Sequence, residues 1–425
     1  MAGYETIKDA LLNHADEFGE RAEIPIFRKM TQGNGIAFSH GELWKVMRRF
    51  TLSTLRDFGM GRRTIEVRIL EELNSLVKYF ESYQGKPFDT KMILNNAVSN
   101  VICSILFGER FEYDDPAFLT LLKLLNENTK LLGSPMVLVR TSVAPQLYNF
   151  YPSLGFLFGA SRTVLQNINE LNAFLQKLFQ EHKEEFNENN LTGFVDAFLM
   201  KQQQKPHTMF HNESLLFSTL DLFAAGTETT STTVRWGLLL MMKYPEIQSK
   251  AEKSSCTIFC CMLKMPKLED RKKMPYTDAV IHEIQRFANI VPMGVSRATP
   301  TDVNFRGYVI PKVSFGVIPL LTSALNDELH WKTPDQFNPS HFLDADGNFI
   351  RREAFIPFSI GRRACVGEGL AKMELFLFFA GLLRKFVFQA PPGVDKSDLD
   401  LTADVGFTLN PMPHLVCAGK KAVCT

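Results

Sequence analysis

Long hydrophobic runs are missing from this 425-residue chain. Its longest apolar stretches, such as Leu375 to Leu383, fall well short of the roughly 20 residues that cross a bilayer, so no membrane anchor is expected. The opening residues, MAGYETIKDALLNHADEFGE, are polar and amphipathic, which excludes a signal peptide. Net charge is nearly absent: 47 Lys and Arg stand against 46 Asp and Glu, a balance of +1. No global field therefore points to nucleic acid. Cysteine is sparse and odd in number, seven in all: Cys103, Cys256, Cys260, Cys261, Cys365, Cys417 and Cys424. That excludes a disulfide framework and fits a reducing compartment with free thiols. Internal repeats and Gly/Ser linkers are missing too, so residues 1–425 read as one domain.

What the chain has in excess is phenylalanine, 36 against 3 Trp and 9 Tyr. With 45% hydrophobic and 22% charged residues it is globular, and plain rings in that number predict a thick apolar interior with a pocket for apolar ligands. Most of the sequence carries helical spacing. Ile7, Ala10, Leu11, His14 and Phe18 predict a helix near the start. NNAVSNVICSILFGERF, LNAFLQKLFQEHKEEF and YTDAVIHEIQRFANI predict others, with stops at Pro245 and Pro292. LLFSTLDLFAAGTETTSTTVRWGLLLMMKYP is apolar around most of its circumference and should be a central buried helix. Strand character is local: TDVNFRGYVIP reads as a hairpin turning at Arg306-Gly307. The expected class is mainly α with a small β-sheet (α+β).

One cysteine has an unusual setting, in PFSIGRRACVGEGLAKMELFLFFAGLL. Gly361 and Gly367 flank Cys365 and allow tight turns and the close approach of a flat ligand. A helix begins just beyond, and its N-terminus favours a negative sulfur, as do Arg362 and Arg363 nearby. A lone cysteine is most often a small core residue. The full spacing Phe-x-x-Gly-x-Arg-x-Cys-x-Gly, filled by Phe358, Gly361, Arg363, Cys365 and Gly367, outweighs that reading. It resembles the haem-binding loop of the cytochrome P-450 superfamily. The resemblance implies haem b (iron protoporphyrin IX) with Cys365 as the thiolate ligand of iron, an arrangement that favours O–O cleavage.

Other segments fall in the order the resemblance requires. AAGTETTS places Ala225-Gly226 where dioxygen needs room and Glu228-Thr229 where protons are delivered. Threonine hydroxyls there can compete for backbone carbonyls and open the helix locally. EIQR puts Glu283 and Arg286 on one helix face. An exposed pair is worth under about 1 kcal/mol, but the family uses this one as a structural lock, with His341 of FNPSHF as third partner. Trp44 and Arg48 of LWKVMRR, Arg297 of GVSRAT and Arg363 match positions that face haem propionates. Lys45, Arg49 and Arg56 offer a basic face for an acidic electron donor. Substrate contacts implied by the resemblance are residues 24–38, Phe223, Ala224, Ala225, Val291, Val295 and Phe407.

The implied activity is a monooxygenase of the family 2-like vertebrate microsomal branch. It would insert one oxygen atom from O2 into an apolar small molecule: a lipid, steroid, fatty acid or xenobiotic. Electrons would come from NADPH through cytochrome P-450 reductase, with cytochrome b5 as a second donor, at the cytosolic face of the endoplasmic reticulum. Two departures from the pattern stand out. The chain starts where the family's second helix begins, without membrane anchor, first helix or first sheet strands, which leaves a sheet edge unpaired. Residues 254–266, SSCTIFCCMLKMP, do not read as the charged amphipathic helix expected there, and LVRTSVAPQ at 138–146 looks inserted. Cys256, Cys260 and Cys261 lack a second pair at zinc spacing; a replaced exon or gene-model error fits better. The rival readings are a truncated, non-catalytic product with impaired haem binding, and isomerase or peroxide-dependent chemistry on the same haem.

Overall fold

A computed structural model of the chain describes residues 1–60, 63–133, 159–204, 209–259 and 265–421. The helices in chain order are α1 (Tyr4–Lys8), α2 (Pro25–Thr31), α3 (Gly41–Asp57), α4 (Arg63–Ser82), α5 (Lys91–Leu106), α6 (Pro116–Gly133) and α7 (Gly159–Glu185). They continue with α8 (Phe194–Gln204), α9 (Asn212–Lys243), α10 (Pro245–Phe259), α11 (Pro275–Ala288), α12 (Leu321–Leu325) and α13 (Glu368–Lys385). Strand β1 (Glu20–Arg21) pairs with β2 (Arg297–Thr299), and β2 with β5 (Val313–Val317), all antiparallel. Three further two-stranded sheets are β3–β4 (Val303–Phe305, Tyr308–Ile310), β6–β9 (Phe386–Gln389, Cys417–Lys420) and β7–β8 (Ala403–Val405, Leu409–Pro411). Among the described residues the expected small β content thus takes the form of four small antiparallel sheets. Strand β5 has no outer partner among the described residues.

Helix α9 is the axis of the molecule. Its 32 residues pack along α5 and against α11 and α13, and its buried positions run round the circumference. A helix covered on all sides can be apolar on all sides, which is why no single face is legible in its sequence. One large apolar core joins α3–α11 with α13, and a smaller one sits under α1 and the loop before α13.

Several boundaries differ from the sequence expectation. Pro245 ends α9 only by starting α10, where a missing N–H costs nothing. Helix α11 stops at Ala288, before Pro292, because Asn289 turns left-handed at φ 41°. The opening helix passes into one π turn at Asp9–Asn13, so Phe18 is buried beyond the helix rather than on its face. Helix α10 carries through residues 254–259 of the atypical segment. Residues 260–264 and 138–146 lie outside the described residues. The hairpin β3–β4 is as expected, with Arg306 and Gly307 both at positive φ.

Candidate active site

The loop 356–367 brings the cysteine to the start of α13. Its turns are closed by Ser359 N–H on Ile356 O, Ala364 N–H on Gly361 O and Cys365 N–H on Phe358 O. Gly361 needs to be glycine: φ is +79°, and a Cβ there would fall on the Leu11 carbonyl. Gly367 is different. Its φ of −91° suits any residue, and a Cβ would meet only Cys365 Sγ, at 3.9 Å. Its bareness keeps the space beside the sulfur open instead of making a turn.

Cys365 is open to solvent, yet enough protein surrounds it that burial pushes its thiol up. The sulfur therefore lines an inner recess. Opposing burial, the backbone N–H groups of Gly367 and Glu368 and the charge of Arg48 favour the thiolate. The adjacent double arginine does not supply that charge. Arg362 pairs with Asp16 at the surface, and Arg363 turns away to donate to Gly19 O (3.1 Å) and Ser39 O (3.0 Å).

Arg363 instead joins a cluster of buried cations. It lies over the Trp44 ring at 3.7 Å, with Arg48, Arg297 and Arg21 close by. Burial, then Arg48, holds Arg297 down at about 10; burial, then Arg297 and Arg48, holds Arg363 at about 9, with Glu20 opposing. Arginine stays charged at neutral pH, so the depression reflects charges held out of water, with their mutual repulsion as a smaller addition. Glu20, itself paired with His40 at 3.1 Å, is the acid facing Arg363, at 3.6 Å. Trp44 Nε1, Arg297 Nε and Arg363 Nη1 are buried donors with no acceptor among the described residues. Such a set fits a ligand carrying two carboxylates, as haem does. Arg21 was not foreseen; nothing in its local sequence marks it, and only the pairing β1–β2 brings it to Arg297.

Helix α9 carries the other expected site residues. Ala225 is exposed in the middle of a largely buried helix, and Ala224 and Thr229 keep partial access. Gly226 makes no such room: a Cβ there would stand 2.6 Å from Ile102, so this glycine lets α5 approach. Phe223, about 200° round the helix from Ala225, has no exposed surface and belongs to the core rather than to an open wall. Thr229 Oγ1 donates to Ala225 O at 2.8 Å, yet the helix stays continuous. Glu228 is buried and accepts at Oε1 from Thr408 and Asn410, both at 3.0 Å. Asp221, about two turns earlier, accepts from the backbone N–H of Ile36 (2.6 Å) and Ala37 (2.9 Å) and so pins the 33–39 loop. On α13, Glu374 is wholly buried, takes a hydrogen bond from Thr230 at 3.3 Å, and is held well above the usual carboxyl range by burial.

The stretch Ile24–Phe38 borders an open cavity of ≈ 320 Å³. Phe27 stacks on Phe38 (4.0 Å) and meets Phe407 edge-on (6.3 Å). Val291 and Val295 are half-buried, and Val295 O accepts from Arg21 at 3.1 Å. Farther away, Glu283 and Arg286 are fully buried, not an exposed pair. Two parallel bonds of 2.7 and 2.8 Å join them, and Arg286 also donates to Leu325 O, Pro334 O and Gln336 O. His341 Nε2 accepts from Thr333 N–H, so Nδ1 carries the proton and donates to Glu283 at 3.2 Å. Lys45, Arg49 and Arg56 are exposed on α3, with Lys45 paired to Glu42.

The family model for cytochrome P450 matches residues 1–418. The chain belongs to the cytochrome P450 family. It is 48% identical over 423 residues to cytochrome P450 2K4 of Oncorhynchus mykiss, covering 98% of this chain and 82% of that one. It is 48% identical over 434 residues to cytochrome P450 2K6 of Danio rerio (99% and 82%) and 45% over 419 residues to cytochrome P450 2C5 of Oryctolagus cuniculus (98% and 84%). These relatives are members of family 2. Membership brings haem with a cysteine-thiolate ligand, and monooxygenase chemistry on apolar substrates. Among the described residues no helix is long and apolar enough to cross a membrane.

Proposed function

We propose that residues 1–425 form a single haem-thiolate domain in which Cys365 ligates iron and Arg21, Arg48, Arg297, Arg363 and Trp44 hold the propionates. The observation that carries this reading is the set of buried, mutually repelling guanidinium groups with unpartnered N–H donors, on the same side of the chain as a recessed cysteine. A chain that bound no haem would leave those charges and donors without compensation, which argues against a non-catalytic product.

Haem bound there supplies dioxygen chemistry at its iron. The chain's own residues orient and exclude. Phe27, Phe38 and Phe407 offer apolar contact to a substrate beside the opening at Ala225. Thr229 Oγ1, its proton committed to Ala225 O, is placed to accept a hydrogen bond; Glu228 is the acid that would move protons beside it. The lock of Glu283, Arg286 and His341 is structural. Electrons would reach the site from NADPH by way of cytochrome P-450 reductase, or cytochrome b5, docking on the Lys45, Arg49 and Arg56 face. The cytosolic side of the endoplasmic reticulum is the proposed location, and lipids, fatty acids, steroids and xenobiotics are the proposed substrate classes.

The test is reconstitution with reductase and NADPH against a panel of such substrates. Product should form, and Thr229→Ala should raise peroxide release per NADPH about tenfold or less while keeping haem. Unaltered coupling would remove Thr229 from proton delivery.

A further inference from the structure

Glu228 is 5% exposed, and its Oε1 accepts hydrogen bonds from Thr408 Oγ1 (3.0 Å) and Asn410 Nδ2 (3.0 Å), while Thr232 Oγ1 gives its one proton to Asn410 Oδ1 (3.0 Å). An amide can face either way, and Arg235 decides which. Its Nη1 lies 2.9 Å from Asn410 Oδ1, and a guanidinium only donates, so the amide oxygen faces Arg235 and the NH2 faces Glu228. Arg235 is itself 3% exposed and cannot swing away. We infer that Thr408 and Asn410, with Arg235 behind them, are positioning residues for Glu228, fixing which carboxylate oxygen is free to carry a proton. The inference rests on the proposed proton-handling role of Glu228.

Two donors on Oε1 commit that oxygen as an acceptor. Oε2 accepts nothing among the described residues and is the oxygen left for proton traffic. The clamp cannot drift, because the hairpin β7–β8 is tied down at each side. Trp236 Nε1 donates to Leu409 O, Leu409 N–H to Ile290 O, and Phe407 N–H to Thr129 O, all at 2.9 Å. The same turn carries Phe407, so a substrate-side ring and a Glu228 donor are adjacent residues. The charged groups around the network are Arg235 on α9, Asp89 before α5 and Asp404 on β7. His414, beside Arg235, is lowered by burial and stays neutral.

A purely structural reading makes Thr408 and Asn410 glue between hairpin and helix, and the experiment separates the two. Asn410→Asp keeps the volume and an oxygen toward Arg235 but exchanges the donor on Glu228 for an acceptor. Thr408→Val removes the other donor, and Thr408→Ser restores it. In the haem-loaded, reductase-coupled chain, Asn410→Asp and Thr408→Val should raise the peroxide fraction of NADPH consumption about threefold, with KM within about twofold and the reduced carbon monoxide band unchanged. Thr408→Ser should behave as the parent. Infrared spectroscopy, which needs no turnover, reads the clamp directly. The carboxyl bands of Glu228, identified by their loss in Glu228→Gln, should change frequency in Thr408→Val and Asn410→Asp, where a hydrogen bond to Oε1 is lost, and keep the parental frequency in Thr408→Ser. Lower thermal stability with parental coupling and an unmoved band would overturn the inference. Should Glu228→Gln itself leave coupling intact, the proton role of Glu228 fails, and the infrared shift still decides whether the clamp exists.

Discussion

Gly361 and Gly367 look alike in the motif and differ in what they do. Gly361→Ala combines a left-handed backbone with a clash on the Leu11 carbonyl, and should cost about 2–5 kcal/mol. Thermal unfolding reads that loss directly. Gly367→Ala should leave the unfolding midpoint nearly unmoved, because no protein atom but Cys365 Sγ lies within reach of its Cβ. Its effect should appear in haem affinity alone. Equal loss of stability in both variants would contradict this division. The chemistry of the loop was legible from residue types and spacing. The source of positive charge at the sulfur was not, because Arg48 reaches Cys365 from a helix more than 300 residues earlier.

Among the elements, α9 and the loop at 33–39 are coupled by Asp221. Burial raises its carboxyl from 3.8 to about 6, against the two backbone N–H groups that favour its ionised form. A carboxyl raised by folding binds its proton more tightly in the native state. Its contribution to stability is therefore full below about pH 4 and lost as pH rises through about 6. Asp221→Asn keeps an acceptor for Ile36 and Ala37 but does not titrate. The melting temperature of this variant, relative to the parent, should become more favourable between pH 4 and pH 7. A difference that stays flat across that range would sink the assignment. Sequence reading found α9 and its Glu-Thr pair but passed over Asp221, whose partners are backbone groups of a remote loop. Phe223 has no exposed surface, because residues two apart on a helix point about 200° from each other and Ala225 takes the open side.

At the scale of the whole molecule, the buried set of Glu283, Arg286 and His341 ties α11 to the segment from Leu325 to His341. Arg286→Lys keeps the charge but loses the fork that serves Glu283 and three carbonyls at once. It should cost about 3–5 kcal/mol, seen as a fall of several degrees in the melting temperature. A midpoint within about one degree of the parent would show the lock to be dispensable. The helical architecture was legible because long amphipathic and apolar spacings persist through it. The division of the strands into four small sheets was not, because pairs such as β1–β2 and β6–β9 join segments far apart in sequence. The central claim, that this chain holds haem through Cys365, is tested most directly by the absorption spectrum of the reduced protein under carbon monoxide. A strongly red-shifted Soret band, lost in Cys365→Ser, is the predicted result. A band at the shorter wavelength of thiolate-free haem, or one unchanged in Cys365→Ser, would contradict it.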